Sequence, residues 1–201
     1  MTAQLRPLLA TLLATACVSL AAPDEQKQIQ ELYRRGLAGD KQAVEACISK
    51  LEAAVQTQPS NQLARVYLGS AYTLRSRDLG FGPKKLQTLK QGLAVMDEAV
   101  AAAPNEPKVR LARALTTSAL PGIFGRGAES RNDFTKLVEL AQSNPSKFEH
   151  GDLQIVFYEG GLAARRAGDE TRASALWKQA LEHPADPALT QKVQAALAGK
   201  Q

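Results

Sequence analysis

The sequence predicts an all-α fold, and three observations lead there. Alanine and leucine are abundant, aromatic residues make up only 5% of the chain, and no stretch alternates apolar with polar residues as a half-buried strand would. Prolines at 59, 104, 145 and 184, spaced 45, 41 and 39 residues apart, each follow a helical run that ends in small or polar residues. Finally, Phe157, Gly160, Gly161 and Ala164 precede a Gly168-Asp169 turn, and Ala173, Trp177, Ala180 and Pro184 follow it. The small residues let a second helix approach closely, while Ala173, Trp177 and Ala180 share one helical face.

Residues 1–22 are expected to stand outside this fold. Arg6 precedes an apolar run from Leu8 to Leu20, and Ser19-Leu20-Ala21 closes it; this is the pattern of a secretory signal peptide, cleaved after Ala21 or Ala22. The run is interrupted by Thr11, Thr15 and Ser19 and is shorter than the roughly 20 apolar residues of a spanning helix. Leu13-Ala14-Thr15-Ala16-Cys17 also resembles a bacterial lipobox, although Ala14 stands where that pattern carries a branched apolar residue. The expectation is an exported, periplasmic protein without a transmembrane span in its mature form. The alternative is an outer-membrane lipoprotein anchored through Cys17. Either way Cys47 is the one remaining cysteine, so an internal disulfide is excluded.

From residue 23 onward the chain divides into four candidate hairpins. The first, 25–59, sets Ile29, Leu32 and Tyr33 on one helix and Cys47, Leu51 and Ala54 on the next, with Gly39-Asp40 as the turn. In the second, 61–104, Leu68, Gly69 and Tyr72 precede Gly92, Met96 and Ala99. Its first helix is expected to run to about residue 78 before a Gly-Pro break. The third, 106–145, repeats Arg65 and Gly69 as Arg110 and Ala114, 45 positions on. Phe134 and Leu137 anchor its second helix, and Pro121 to Gly127 reads as a loop. The fourth spans 148–184. A last helix within 187–199 places Leu189, Val193 and Leu197 in one apolar row, suited to capping the final hairpin.

The residues quoted for Phe157 to Pro184 resemble the tetratricopeptide repeat, in which a large residue, a small residue, an aromatic and a closing proline mark stacked helical hairpins. The likeness is close in the fourth hairpin, moderate in the second, and extends over about residues 25–199. It implies a right-handed α-solenoid of such hairpins with a C-terminal capping helix. The long connections depart from the usual repeat of about 34 residues. The resemblance also implies a concave surface lined by first helices. Leu63, Val66 and Ser70 would face it from the second hairpin, Lys108, Leu111 and Leu115 from the third, and Ile155, Tyr158, Leu162 and Arg165 from the fourth. Lys108, Tyr158 and Arg165 are then candidate contacts for a peptide or helix, the cations serving carboxylates. Trp177, on a second helix, is expected in the core.

A second candidate surface lies in the two glycine-rich connections. Gly80-Phe81-Gly82-Pro83-Lys84 and Gly122-Ile123-Phe124-Gly125-Arg126-Gly127 each hold a phenylalanine near basic residues. Displayed, Phe81 and Phe124 with Lys84, Lys85 and Arg126 would form a contact patch. The competing expectation, favoured by the rarity of displayed aromatics, is that each ring folds back over its own hairpin. Neither loop has phosphate-loop spacing or follows a strand, so nucleotide binding is not expected.

Enzymatic machinery is not expected. The histidines are His150 and His183; the first lies in a polar connection with Glu149 and Asp152, and the second ends a helix, where a structural role is the ordinary one. No zinc or haem ligand spacing is present, so neither metal nor other cofactor is expected. Cys47 sits at a small-residue position and should behave as a buried hydrophobe. The formal charge of +5 falls to about +4 without Arg6, and no basic stripe interleaved with aromatics suggests nucleic acid. The functional expectation is a non-enzymatic scaffold of the bacterial cell envelope that binds a protein or peptide. A small-ligand carrier or accessory subunit of an envelope transport system is the alternative.

Overall fold

Most of the helices start where the sequence supplies a hydrogen-bond acceptor or a proline. In the computed structural model, which describes residues 23–199, nine α-helices are found among those residues; the segment expected to be a signal peptide, with Arg6 and Cys17, lies outside them. They are α1 (Pro23–Leu37), α2 (Lys41–Thr57), α3 (Gln62–Asp78), α4 (Pro83–Ala102), α5 (Pro107–Ser118), α6 (Gly127–Ser143), α7 (His150–Arg166), α8 (Glu170–Leu181) and α9 (Pro187–Leu197). Short 3-10 turns at Gly122–Phe124 and Pro145–Lys147 flank α6. The side chains of Asp40, Asn61, Asp169 and Asp186 accept backbone N–H groups at the starts of α2, α3, α8 and α9. Pro83, Pro107 and Pro187 occupy the first turns of α4, α5 and α9, where a missing N–H costs nothing.

The two Gly-Asp turns read from the sequence share one construction. Gly39 and Gly168 adopt φ of 103° and 82°, a region that disfavours residues with a Cβ. The following aspartate N–H returns to a carbonyl of the preceding helix, Asp40 to Arg35 and Asp169 to Ala164, both at 3.0 Å. The aspartate carboxylate then caps the next helix. One dipeptide therefore ends a helix, reverses the chain and begins the partner.

Two compact units divide the chain between Ala119 and Leu120. In the first, α1 through α5 pack mainly on their sequence neighbours, with further contacts of α1 on α3 and of α3 on α5. The most extensive of these interfaces joins α3 to α4. Gly69 and Gly92 make it possible: a Cβ at 69 would lie 2.6 Å from the Gly92 carbonyl oxygen, and one at 92 would lie 2.5 Å from that of Gly69. The helices meet backbone to backbone there, and Met96, Ala99, Val66 and Leu51 close the core around them. A buried hydroxyl chain links the first helices. Tyr33 Oη lies 2.5 Å from Ser70 Oγ, which lies 2.8 Å from Thr116 Oγ1, and Thr116 donates to the Ala112 carbonyl.

The hairpin correspondence noted in the sequence reappears as geometry. Arg65 and Arg110 each donate from Nη2 to the carbonyl of the proline six residues earlier, Pro59 at 3.0 Å and Pro104 at 2.6 Å. An equivalent side chain thus ties each closing proline to the helix after it.

In the second unit, α6 packs on α7, α7 on α8, and α9 on both α8 and α7. Gly161 makes room for Trp177, whose Nε1 would lie 2.2 Å from a Cβ at that position. The indole N–H donates to the Tyr158 carbonyl at 3.1 Å, so the buried ring is also satisfied. Phe134 and Leu137 on α6 are buried as the spacing predicted, as is the Leu189 and Val193 part of the α9 row. The architecture is all-α with helices packed mostly on their neighbours, consistent with an array of helical hairpins.

Candidate functional site

The α3–α4 connection is held rigidly on both sides. Lys85 Nζ donates to the carbonyls of Arg77 and Leu79, each at 3.2 Å, which places a cation at the C-terminal end of α3. Ser76 Oγ donates to the Lys85 carbonyl at 2.9 Å. Gly82, with φ of 153°, turns the chain into Pro83 and α4. Between these fixed points Phe81 stands in solvent with a relative exposure of 107%. Leu86, in the first turn of α4, is 46% exposed, and Lys84 is exposed beside it. Phe81 therefore does not fold back over its hairpin. Lys85, grouped with the contact patch in the sequence reading, serves as a helix cap.

The Pro121–Gly127 connection behaves differently. Phe124 is half-buried, closing the 3-10 turn with its N–H on the Pro121 carbonyl at 3.0 Å. Gly125 takes φ of 69°, and Arg126 forms an ion pair of 2.5 Å with Glu129 at the start of α6. The side chain that reaches solvent is Ile123, 88% exposed. The sequence reading weighed its aromatic neighbour Phe124 as a candidate and favoured a ring folded back over its own hairpin. The usable signal was its place in a short, glycine-flanked turn, where adjacent side chains cannot both pack inward. Phe81, Leu86 and Ile123 are the large apolar side chains that stand exposed among the described residues, and all three lie in or just after the two connections.

The proposed groove positions are placed otherwise. Leu63, Val66, Ser70, Leu111, Leu115, Ile155, Tyr158 and Leu162 are all buried, so these side chains are packing residues and supply no open lining. Tyr158 and Arg165 do share a neighbour, since the Tyr158 carbonyl receives the Trp177 N–H and the Arg165 guanidinium carbon lies 5.1 Å from the indole ring. That stacking engages Arg165 in a cation–π contact. Lys108, half-buried at the start of α5, belongs to the first unit, whereas Tyr158 and Arg165 belong to the second.

The remaining reactive side chains occupy structural places. Cys47 is 1% exposed, its thiol 3.9 Å from the Ile29 carbonyl, and burial pushes its pKa up to about 12. A thiol so held is a poor nucleophile at neutral pH. His183 stacks on Phe157 with centroids 5.9 Å apart, and the His150 ring is 5.5 Å away. Among the described residues, no three His, Cys, Asp or Glu side chains gather as a metal-binding group. None of the described helices is long and apolar enough to cross a membrane.

Sequence reasoning missed a polar node in the second unit. Gln154, fully buried, accepts the N–H groups of Ala185 and Asp186 at 3.1 and 2.8 Å and donates to Thr190 Oγ1 at 2.8 Å. It fixes the α8–α9 connection against α7. Compared with known proteins, the chain matches no family model and no curated sequence.

Proposed function

We propose that this chain is a non-enzymatic scaffold that binds a protein or peptide partner, and that the partner is held at the loop edge. The observation that carries this reading is the placement of Phe81 and Leu86 in the first unit. Isolated exposed apolar residues are common on surfaces, but Phe81 stands in the glycine-rich α3–α4 connection and Leu86 in the first helical turn after it. Phe81 is presented on a rigid mount, so little conformational freedom is lost when a partner covers it. An aromatic anchor with a neighbouring aliphatic residue and a cation is the composition of an interface centre.

The repeat pattern, the two Gly-Asp turns and the paired Arg65 and Arg110 contacts support a tetratricopeptide-like solenoid as the frame. The leader-like segment 1–22 supports export to the cell envelope, with a Cys17 anchor as the alternative. The buried state of the expected groove lining directs the reading to the loop edge instead.

The test is crosslinking and capture of the protein from its native envelope, comparing wild type with Phe81→Ala, with Leu86→Ser and with an Arg165→Ala control. The loop-edge variants should lose partners that wild type and the control retain. Equal recovery by all four proteins contradicts the proposal.

A further inference from the structure

A cleft of about 250 Å³ lies within the second unit, between α6, the C-terminal half of α7 and the first turns of α8. Its walls are of two kinds. Val138, Gly160 and Leu176 are buried and contribute an apolar floor. Arg131 and Asn132 of α6 line it from one side, and Arg172 lines it from α8. Gly160 allows α7 to close on α6, since a Cβ there would sit 2.5 Å from Val138 Cγ2.

The charges lining this cleft are not balanced by ion pairing. Arg131 and Arg172 are both exposed, and among the described residues neither guanidinium makes an ion pair or hydrogen bond. Asp169, the acidic residue of the lining, uses Oδ1 to accept the Arg172 N–H at 2.9 Å as the cap of α8. Two formal positive charges against one negative leave room for a single anionic group, and a guanidinium binds a planar carboxylate through paired N–H donors. The volume holds roughly eight water-sized groups, and the apolar floor favours a hydrocarbon body over a second charge.

We propose that this cleft is a binding site for a small apolar monocarboxylate, with the anion on Arg131 and Arg172 and the hydrocarbon on Val138, Gly160 and Leu176. This site is independent of the loop edge and goes beyond the scaffold reading. It requires no covalent step and no additional cofactor.

The test titrates the full chain with 4-methylpentanoate, followed by amide-resonance shifts and calorimetry, with 4-methylpentanamide and inorganic phosphate as comparison probes. Saturable binding of the carboxylate is expected, with shifts concentrated around residues 131–138, 160–164 and 172–176. The amide and phosphate should each bind at least about tenfold more weakly, because one lacks the charge and the other the apolar body. Arg131→Gln and Arg172→Gln, both at exposed positions, should each weaken the carboxylate about tenfold while leaving the circular dichroism melt unchanged. No saturable carboxylate binding, equal binding of the amide or phosphate, or unchanged affinity in both variants overturns the proposal.

Discussion

Replacing Gly69 or Gly92 by alanine tests the tightest helix contact in the first unit through the sign of its effect. An added Cβ would lie 2.5 to 2.6 Å from a facing carbonyl oxygen, whereas an ordinary carbon–oxygen contact is about 3.4 Å. The α3 and α4 backbones would have to separate locally by roughly 0.8 Å. Overpacking of this kind costs about 1–3 kcal/mol. Against it stands the gain of about 1 kcal/mol when alanine replaces glycine in a helix interior. The net expectation is a loss of up to about 2 kcal/mol. Gly151 on α7 provides the control, because its added Cβ would meet only the Ala185 methyl at 3.7 Å; Gly151→Ala should be neutral or stabilising by up to about 1 kcal/mol. Urea denaturation followed by circular dichroism reads all three. If Gly69→Ala and Gly92→Ala both exceed the wild-type stability, the backbone contact between α3 and α4 is wrong.

Gln154→Leu should cost roughly 2–4 kcal/mol, because it leaves the Ala185 and Asp186 N–H groups without their acceptor. Fluorescence of Trp177, the one tryptophan and a resident of the same unit, reports the shift in urea midpoint. Cys47 should resist alkylation at pH 8 in the folded protein and react once urea unfolds it, as peptide mass spectrometry would show. Rapid native labelling would contradict its burial. Stability should also fall in alkali. Burial raises the folded-state pKa values of Cys47 and Tyr33 to about 12 from ordinary values of 9.0 and 10.0. Raised acids stabilise the fold fully below their ordinary values and lose that contribution as pH climbs through the folded ones. The decline should therefore begin near pH 9 in wild type and at higher pH in Cys47→Ala, measured by urea midpoints across the series.

The helices were legible because local signals agreed. Gly39-Asp40 and Gly168-Asp169 announce a left-handed residue followed by a cap, and both turns form as read. The closing prolines and the Arg65 and Arg110 correspondence likewise depend on residues near in sequence. What stayed hidden depends on tertiary placement. Gln154 looks like an ordinary polar helix residue until the α8–α9 connection supplies two N–H donors. Exposure in the connections was illegible for the same reason. Phe81 and Phe124 share a glycine-rich setting, yet Phe81 stands in solvent between the Lys85-capped end of α3 and the start of α4, and the 3-10 turn in the second leaves Ile123 outward with Phe124 half-buried. The groove residues failed to appear as lining because a first-helix face that reads as mixed can still be covered.

The claim that Phe81 anchors a partner is tested most directly by a photoreactive phenylalanine analogue placed at position 81 and irradiated in the native envelope. The same analogue at Ser49, an exposed position on α2, serves as the control. The scaffold account predicts one discrete covalent protein adduct from position 81, absent from position 49 and suppressed by excess wild-type chain. Identical adduct patterns from the two positions, or no adduct from position 81, would contradict it.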